Sequence, residues 1–168
     1  VALSGGPDSM ALAGLSNFLM REEKYKVLFA LVDHGIRKNS SKEALLVKKL
    51  LKRKNIKLII LKNNKKITKN IQKNAREIRY ELLTNFCKKN NVKYLLTAHH
   101  QDDQIETFFI RLSRGSGVEG LSSMSEKTVI QNKINLLRPL LNYEKKELSL
   151  IAQKMFGKTF KDPSNKNK

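Results

Sequence analysis

Val1-Ala2-Leu3-Ser4-Gly5-Gly6-Pro7-Asp8-Ser9-Met10-Ala11-Leu12-Ala13-Gly14-Leu15 begins the chain: an apolar stub, six turn-forming residues, then an apolar run of helical length. A strand that turns through two glycines into a helix makes the helix N-terminus an anion seat. The glycines let the backbone turn sharply and approach a ligand closely. The unpaired N–H groups of the first helical turn and the positive end of the helix dipole face the same point. Ser4 and Ser9 add hydroxyls, and successive N–H groups in such a turn suit phosphate. Asp8 is out of place beside phosphates unless Mg²⁺ lies between them. Ser-Gly-Gly alone also fits an ordinary turn with an Asp or Ser N-cap. The apolar segments on either side favour the phosphate loop. The spacing is neither Gly-x-x-x-x-Gly-Lys-Ser/Thr nor Gly-x-Gly-x-x-Gly.

Outward from this loop, apolar runs of strand length alternate with longer amphipathic segments. Residues 26–33 (KVLFALVD), 57–61 and 92–98 (VKYLLTA) read as buried strands. Residues 41–54, 70–90 and 102–113 read as helices, the last with Ile105, Phe108, Phe109 and Leu112 on one apolar face. Four strand–helix cycles call for an α/β fold of the Rossmann-like kind, a parallel sheet with helices on both faces. Ligands of such sheets bind beyond the carboxyl ends of the strands. There the sequence places 4–9, 33–37 and 97–103. Residues 114–125 (RGSGVEGLSSMS) read as a functional loop, followed by LLRPLL at 136–141 and a helix over 142–156. The whole length, 1–168, reads as one domain.

Composition excludes some classes and leaves others open. No stretch reaches the ~20 apolar residues of a membrane span, and no leader is visible. The single cysteine, Cys87, in a helical stretch, suits a small core residue in a reducing compartment, so a cytoplasmic protein without membrane association is expected. The chain lacks a first Met and starts inside an expected strand, which reads as a trimmed N-terminus. With 34 Lys+Arg against 15 Asp+Glu the formal charge is +19. Such a balance suits a polyanionic partner. Yet 26 of those cations are Lys, and with frequent Asn and Ile this is also what AT-rich coding produces.

Three clusters fall at expected strand ends. In Asp33-His34-Gly35-Ile36-Arg37, Asp33 and His34 suit capping a turn; beside a nucleotide loop the same strand end is where a base or ribose is read. In Thr97–Thr107 (TAHHQDDQIET), Asp103 and Glu106 stand one helical turn apart and share a face. They can hold Mg²⁺, or divide into ligand and general base. Adjacent His99 and His100 suit zinc poorly. Five of the fifteen acidic residues (Asp8, Asp33, Asp102, Asp103, Glu106) gather at this one sheet edge, which favours a metal–triphosphate site. In the third cluster, Arg76, Arg79 and Tyr80 lie on neighbouring turns. A guanidinium fork suits phosphate or a developing charge; a surface salt bridge to Glu77 or Glu81 is the alternative.

Ser-Gly-Gly-x-Asp-Ser resembles the pyrophosphate-loop (PP-loop) signature of the N-type ATP pyrophosphatases. In order, 4–9, VDHGIR at 32–37, AREIRY at 75–80, TAHHQDDQIET at 97–107, RLSRGSGVEGL at 111–121, RPLL at 138–141 and DPSN at 162–165 resemble the tRNA(Ile)-lysidine synthase family within that superfamily. The resemblance implies a Rossmann-like catalytic domain that uses ATP and Mg²⁺. It implies adenylation of the C2 carbonyl oxygen of the wobble cytidine in tRNA(Ile) with a CAU anticodon. The ε-amine of L-lysine then attacks C2 and AMP leaves, giving lysidine. By the same resemblance Ser4, Gly5, Gly6, Pro7, Asp8 and Ser9 cradle ATP, and Asp8 and Asp103 hold Mg²⁺. Arg76 contacts the cytidine, Glu106 takes the lysine proton, and Arg114, Gly115, Ser116 and Gly117 close over the substrates. Family members continue beyond the equivalent of Lys168 into C-terminal domains that grip the tRNA, so those domains are expected to be absent here.

Two rival functions remain. A thiolase of the same superfamily needs several cysteines, and this chain carries one. A non-catalytic RNA-binding module would use the +19 charge alone.

Overall fold

The computed structural model describes residues 1–65, 67–117 and 124–157. Strand β1 (Ala2–Leu3) leads through the glycine turn into helix α1 (Pro7–Glu22), followed by β2 (Phe29–Asp33), α2 (Ser40–Lys52), β3 (Leu58–Lys62) and α3 (Ile71–Lys89). Then come β4 (Tyr94–Leu96), α4 (Gln101–Ser113), β5 (Lys127–Ile130), β6 (Ile134–Leu137) and α5 (Lys145–Phe156). Strands β1, β2 and β3 form one parallel ladder in the order β1-β2-β3, with Leu31 opposite Leu3 on one side and Ile60 on the other. A second ladder has the order β4-β6-β5, in which β4 runs parallel to β6.

Side-chain alternation shows how the ladders share one body, because successive residues of a strand face opposite sides. In β2, Phe29 and Leu31 enter a core with Met10 and Leu12 of α1, Val47 and Leu51 of α2, and Leu148 of α5. Ala30 enters the other core, with Leu83 and Cys87 of α3. Strands β1 and β4 divide the same way: Leu3 and Leu96 go to the first core, Ala2 and Leu95 to the second. Three layers result, with α1, α2 and α5 on one face and α3 on the other. Cys87 is a buried core residue, as its setting implied. No helix among the described residues is long and apolar enough to cross a membrane.

The structure departs from the expected elements in three places. The sheet is not parallel throughout: β5 pairs antiparallel with β6. Its residues Lys-Thr-Val-Ile lie largely in solvent, so no buried alternation announced a strand. The helix expected from 142 begins at Lys145, because the Glu144 N–H donates to Glu147 Oε2 at 2.8 Å and caps the helix there. Finally, α4 buries no residue. Its apolar face, with Ile105 51% and Phe109 61% exposed, is open to solvent among the described residues. The DPSN motif at 162–165 and residues 118–123 of the expected loop lie outside those residues.

Gly5 makes the turn between β1 and α1. Its φ is +91°, where a side chain is strained, and a Cβ there would stand 2.7 Å from Val47 Cγ2. Gly5→Ala is expected to lower stability by ~1–3 kcal/mol from backbone strain alone, with a further steric part. In denaturant unfolding, adding Val47→Ala should recover the steric part but not the strain.

Candidate active site at the strand ends

Ser9 organises the phosphate-loop candidate from within. Its buried hydroxyl accepts from the N–H groups of Ser4 at 3.2 Å and Gly5 at 3.1 Å, and donates to Gly6 O at 3.0 Å. The Gly6 N–H turns to Ser4 Oγ at 3.3 Å. These loop donors therefore face the two serines. The N–H groups of Asp8 and Ser9, in the first helical turn after Pro7, have no intrahelical carbonyl to bond. The loop sequence supplied the residues, and the structure gives Ser9 the role of internal staple.

Beside this loop stands the N-terminus of α4. The His100 backbone N–H donates to Asp103 Oδ2 at 2.9 Å, which starts the helix. The His100 ring is buried among carboxylates: Nε2 lies 3.5 Å from Asp8 Oδ2 and 3.6 Å from Asp103 Oδ2, and Nδ1 lies 3.9 Å from Asp102 Oδ1. Burial alone would lower its pKa; the hydrogen bond to Asp8 and the charges of Asp103, Asp8 and Asp102 outweigh burial and raise it. Glu106 stands exposed one turn beyond Asp103. The expected metal pair, Asp8 and Asp103, is thus brought together with His100 between. Asp8 Oδ1 is buried without a hydrogen-bond partner, which fits a ligand atom awaiting a cation. No group of three His, Cys, Asp or Glu among the described residues could hold a metal by itself. Mg²⁺ accepts such a setting, since it takes one or two carboxylates and completes its shell with phosphate and water.

On the other side of the strand ends, α3 supplies guanidinium groups. Arg76 lies over the Tyr80 ring at 5.2 Å. Glu81 pairs instead with Lys65 at 3.0 Å, so the surface salt bridge considered for Arg76 does not form with it. Arg79 Nε donates to His34 Nε2 at 3.5 Å. Arg138, at the end of β6, is buried; its Nη1 donates to Ser125 O at 2.6 Å and Thr128 Oγ1 at 3.0 Å. These bonds tie down the chain that returns from the glycine–serine segment.

His99 occupies the space between α3 and Asp103. Its Nδ1 is hydrogen-bonded to Thr97 Oγ1 at 2.9 Å. Burial first, then Arg138, Arg76 and Arg79, against the opposing pull of Asp103, lower its pKa to about 4. Adjacent histidines thus have opposite character: His99 is held neutral, while His100 favours the imidazolium.

Asp33 serves the fold. It is buried, accepting the Gly35 N–H at 3.1 Å and the Ser41 hydroxyl at 2.5 Å. Burial raises its pKa, but those bonds, Ser40 and the Lys62 charge bring the net shift down. Capping, rather than ligand reading, accounts for its position. At the far end of α4, the Gly115 N–H donates to Leu112 O at 3.0 Å and the Ser116 N–H to Arg111 O at 3.1 Å. With Gly115 at φ +70° this is a Schellman ending, a local reason for glycine in the expected substrate loop.

A strand–glycine-loop–helix beside clustered carboxylates and arginines, all at the carboxyl ends of parallel strands, defines a nucleotide-site architecture of the PP-loop kind. The PP-loop domain family matches residues 1–168, and the chain belongs to it. It is similar to tRNA(Ile)-lysidine synthases: 47% identical over 168 residues to that of Wolbachia pipientis wMel and 39% over 166 residues to that of Orientia tsutsugamushi (strain Boryong). Each alignment covers 98% of this chain but only 39% and 37% of the relative. The chain therefore spans little more than a third of the length of these curated relatives. Its fold is shared with the U34-tRNA thiolase NcsA from Methanococcus maripaludis, at TM-score 0.77 and 20% identity, over 96% of this chain and 57% of that one.

Because the unfolded imidazole titrates near 6.5 and folded His99 near 4, the unfolded state binds the extra proton between those values. Stability should therefore rise with pH across that window on account of His99. Thermal melting of His99→Gln should show a shallower rise than the parent.

Proposed function

We propose that this chain is the catalytic domain of a tRNA(Ile)-lysidine synthase. The observation that carries the reading is the meeting of the Ser4–Ser9 loop with the Asp8–His100–Asp103 cluster, beside a His99 that feels the charges of Arg76 and Arg79. The loop and the N-terminus of α1 bind the ATP phosphates. Asp8 and Asp103 hold Mg²⁺, which neutralises charge on the triphosphate when bound. The C2 oxygen of the wobble cytidine of a CAU-anticodon tRNA(Ile) attacks the α-phosphorus and pyrophosphate leaves. Arg76 faces the cytidine and the charge that develops on it. The ε-amine of L-lysine, once deprotonated, attacks C2, and AMP leaves with the C2 oxygen. Glu106, exposed on the α4 face that carries Asp103, accepts the ammonium proton, since an amine is mostly protonated near neutrality. Residues Arg114–Gly117 close over the substrates. The setting of this chemistry is cytoplasmic.

A thiolase reading draws on the shared fold of NcsA. The only cysteine of the chain is buried in the core beside Leu83, and burial raises its pKa, so it is poorly placed for cluster or persulfide chemistry.

The test is incorporation of radiolabelled L-lysine into the CAU-anticodon isoleucine tRNA. Labelling that requires both ATP and lysine is expected, and its absence would contradict the proposal. Glu106→Gln should slow turnover by ~10²–10⁴-fold while leaving the melting temperature unchanged. An unchanged rate would remove Glu106 from the proton transfer.

A further inference from the structure

We propose that His100 is the positioning residue for Asp8, and that it sets how strongly the divalent cation contributes to nucleotide binding. This rests on the metal–ATP reading above. Asp8 belongs to α1 and has one contact for its carboxylate among the described residues, the His100 ring at 3.5 Å. Its second oxygen, Oδ1, is buried and unbonded. Remove the ring nitrogen and no polar partner among the described residues fixes the rotation of that carboxylate. Asp103 is different, because the His100 backbone N–H holds it whatever the side chain.

The backbone that carries the ring is anchored. On one side of His100, its carbonyl accepts the Gln104 N–H at 3.3 Å; on the other, the Gln101 N–H donates to Tyr143 O at 3.0 Å. Asp102 Oδ1 accepts the Lys145 N–H at 3.4 Å, joining the starts of α4 and α5. The imidazole is 4% exposed, so it acts as a fixed post. One nitrogen on that post reaches carboxylates from two helices remote in sequence, 3.5 Å and 3.6 Å away. Groups that orient a metal's ligands in this way usually govern metal affinity by ~10–100-fold.

The experiment compares His100→Leu, which removes the donor, with His100→Gln, which keeps an N–H near the position of Nε2. Both replace the imidazole with a neutral side chain, so the difference between them reports aim. Calorimetry measures binding of a non-hydrolysable ATP analogue with Mg²⁺ and with EDTA, alongside melting temperatures. His100→Leu should lose ~10-fold or more of the tightening that Mg²⁺ gives the parent, with the EDTA affinity little changed, and His100→Gln should recover much of it. Full Mg²⁺ dependence in His100→Leu would overturn the inference. So would equal losses in both variants, or affinities that fall together with and without Mg²⁺ in step with the melting temperature, the sign of a merely structural residue. A parent chain that binds no nucleotide would instead overturn the metal–ATP reading, and this inference with it.

Discussion

Three carboxylates from two helices repel one another, and a single buried imidazole holds them together. Asp8, Asp102 and Asp103 all lie within 3.9 Å of the His100 ring. They meet because β1 and β4, which send side chains into the same two cores, lead into helices that begin side by side. Both helix N-termini carry positive dipole ends, which lowers the cost of crowding the acids there. The glycine turn, the Ser9 staple and the α4 cap are the local devices that bring these starts to one point. Take away the imidazole and Asp103 and Asp102 keep their backbone N–H partners, but Asp8 loses its link to α4.

Much of this was written in short-range pattern. The strands and helices followed from apolar spacing, because period 2 and period 3.6 are local properties. The strand–turn–helix at Ser4–Ser9 followed because a tight turn needs glycine and a helix start needs free N–H groups. Clustered acids at expected strand ends placed Asp8 and Asp103 correctly relative to one another. What sequence could not supply was long-range partnership. His100 was visible in the motif, but its reach to Asp8 depends on how β1 and β4 sit in the sheet. Ser9 read as a phosphate contact, and its role as an inner staple depends on the φ of Gly5. The exposed β5 strand has no buried face to betray it. The apolar stripe of α4 implied packing that the described residues do not provide.

The electrostatics explain why arginine stands out in a lysine-rich chain. Most lysines are solvated points of charge, and the composition alone did not distinguish a ligand from coding bias. Burial first, and then the charges of Arg138, Arg76 and Arg79, hold His99 neutral. On one side of the strand ends stand Asp8, Asp102 and Asp103 around His100, and on the other the guanidinium groups of Arg76, Arg79 and Arg138 act on His99.

All three histidines of the chain, His34, His99 and His100, lie at this edge. Imidazole ¹⁵N NMR of the intact chain, with ATP and Mg²⁺ added, therefore reads the site without background. If the strand ends form one metal–nucleotide site, the His100 and His99 signals shift together as ATP saturates, and the His100 shift requires Mg²⁺. Saturable ATP binding that leaves both signals unmoved would place the nucleotide elsewhere and contradict the account.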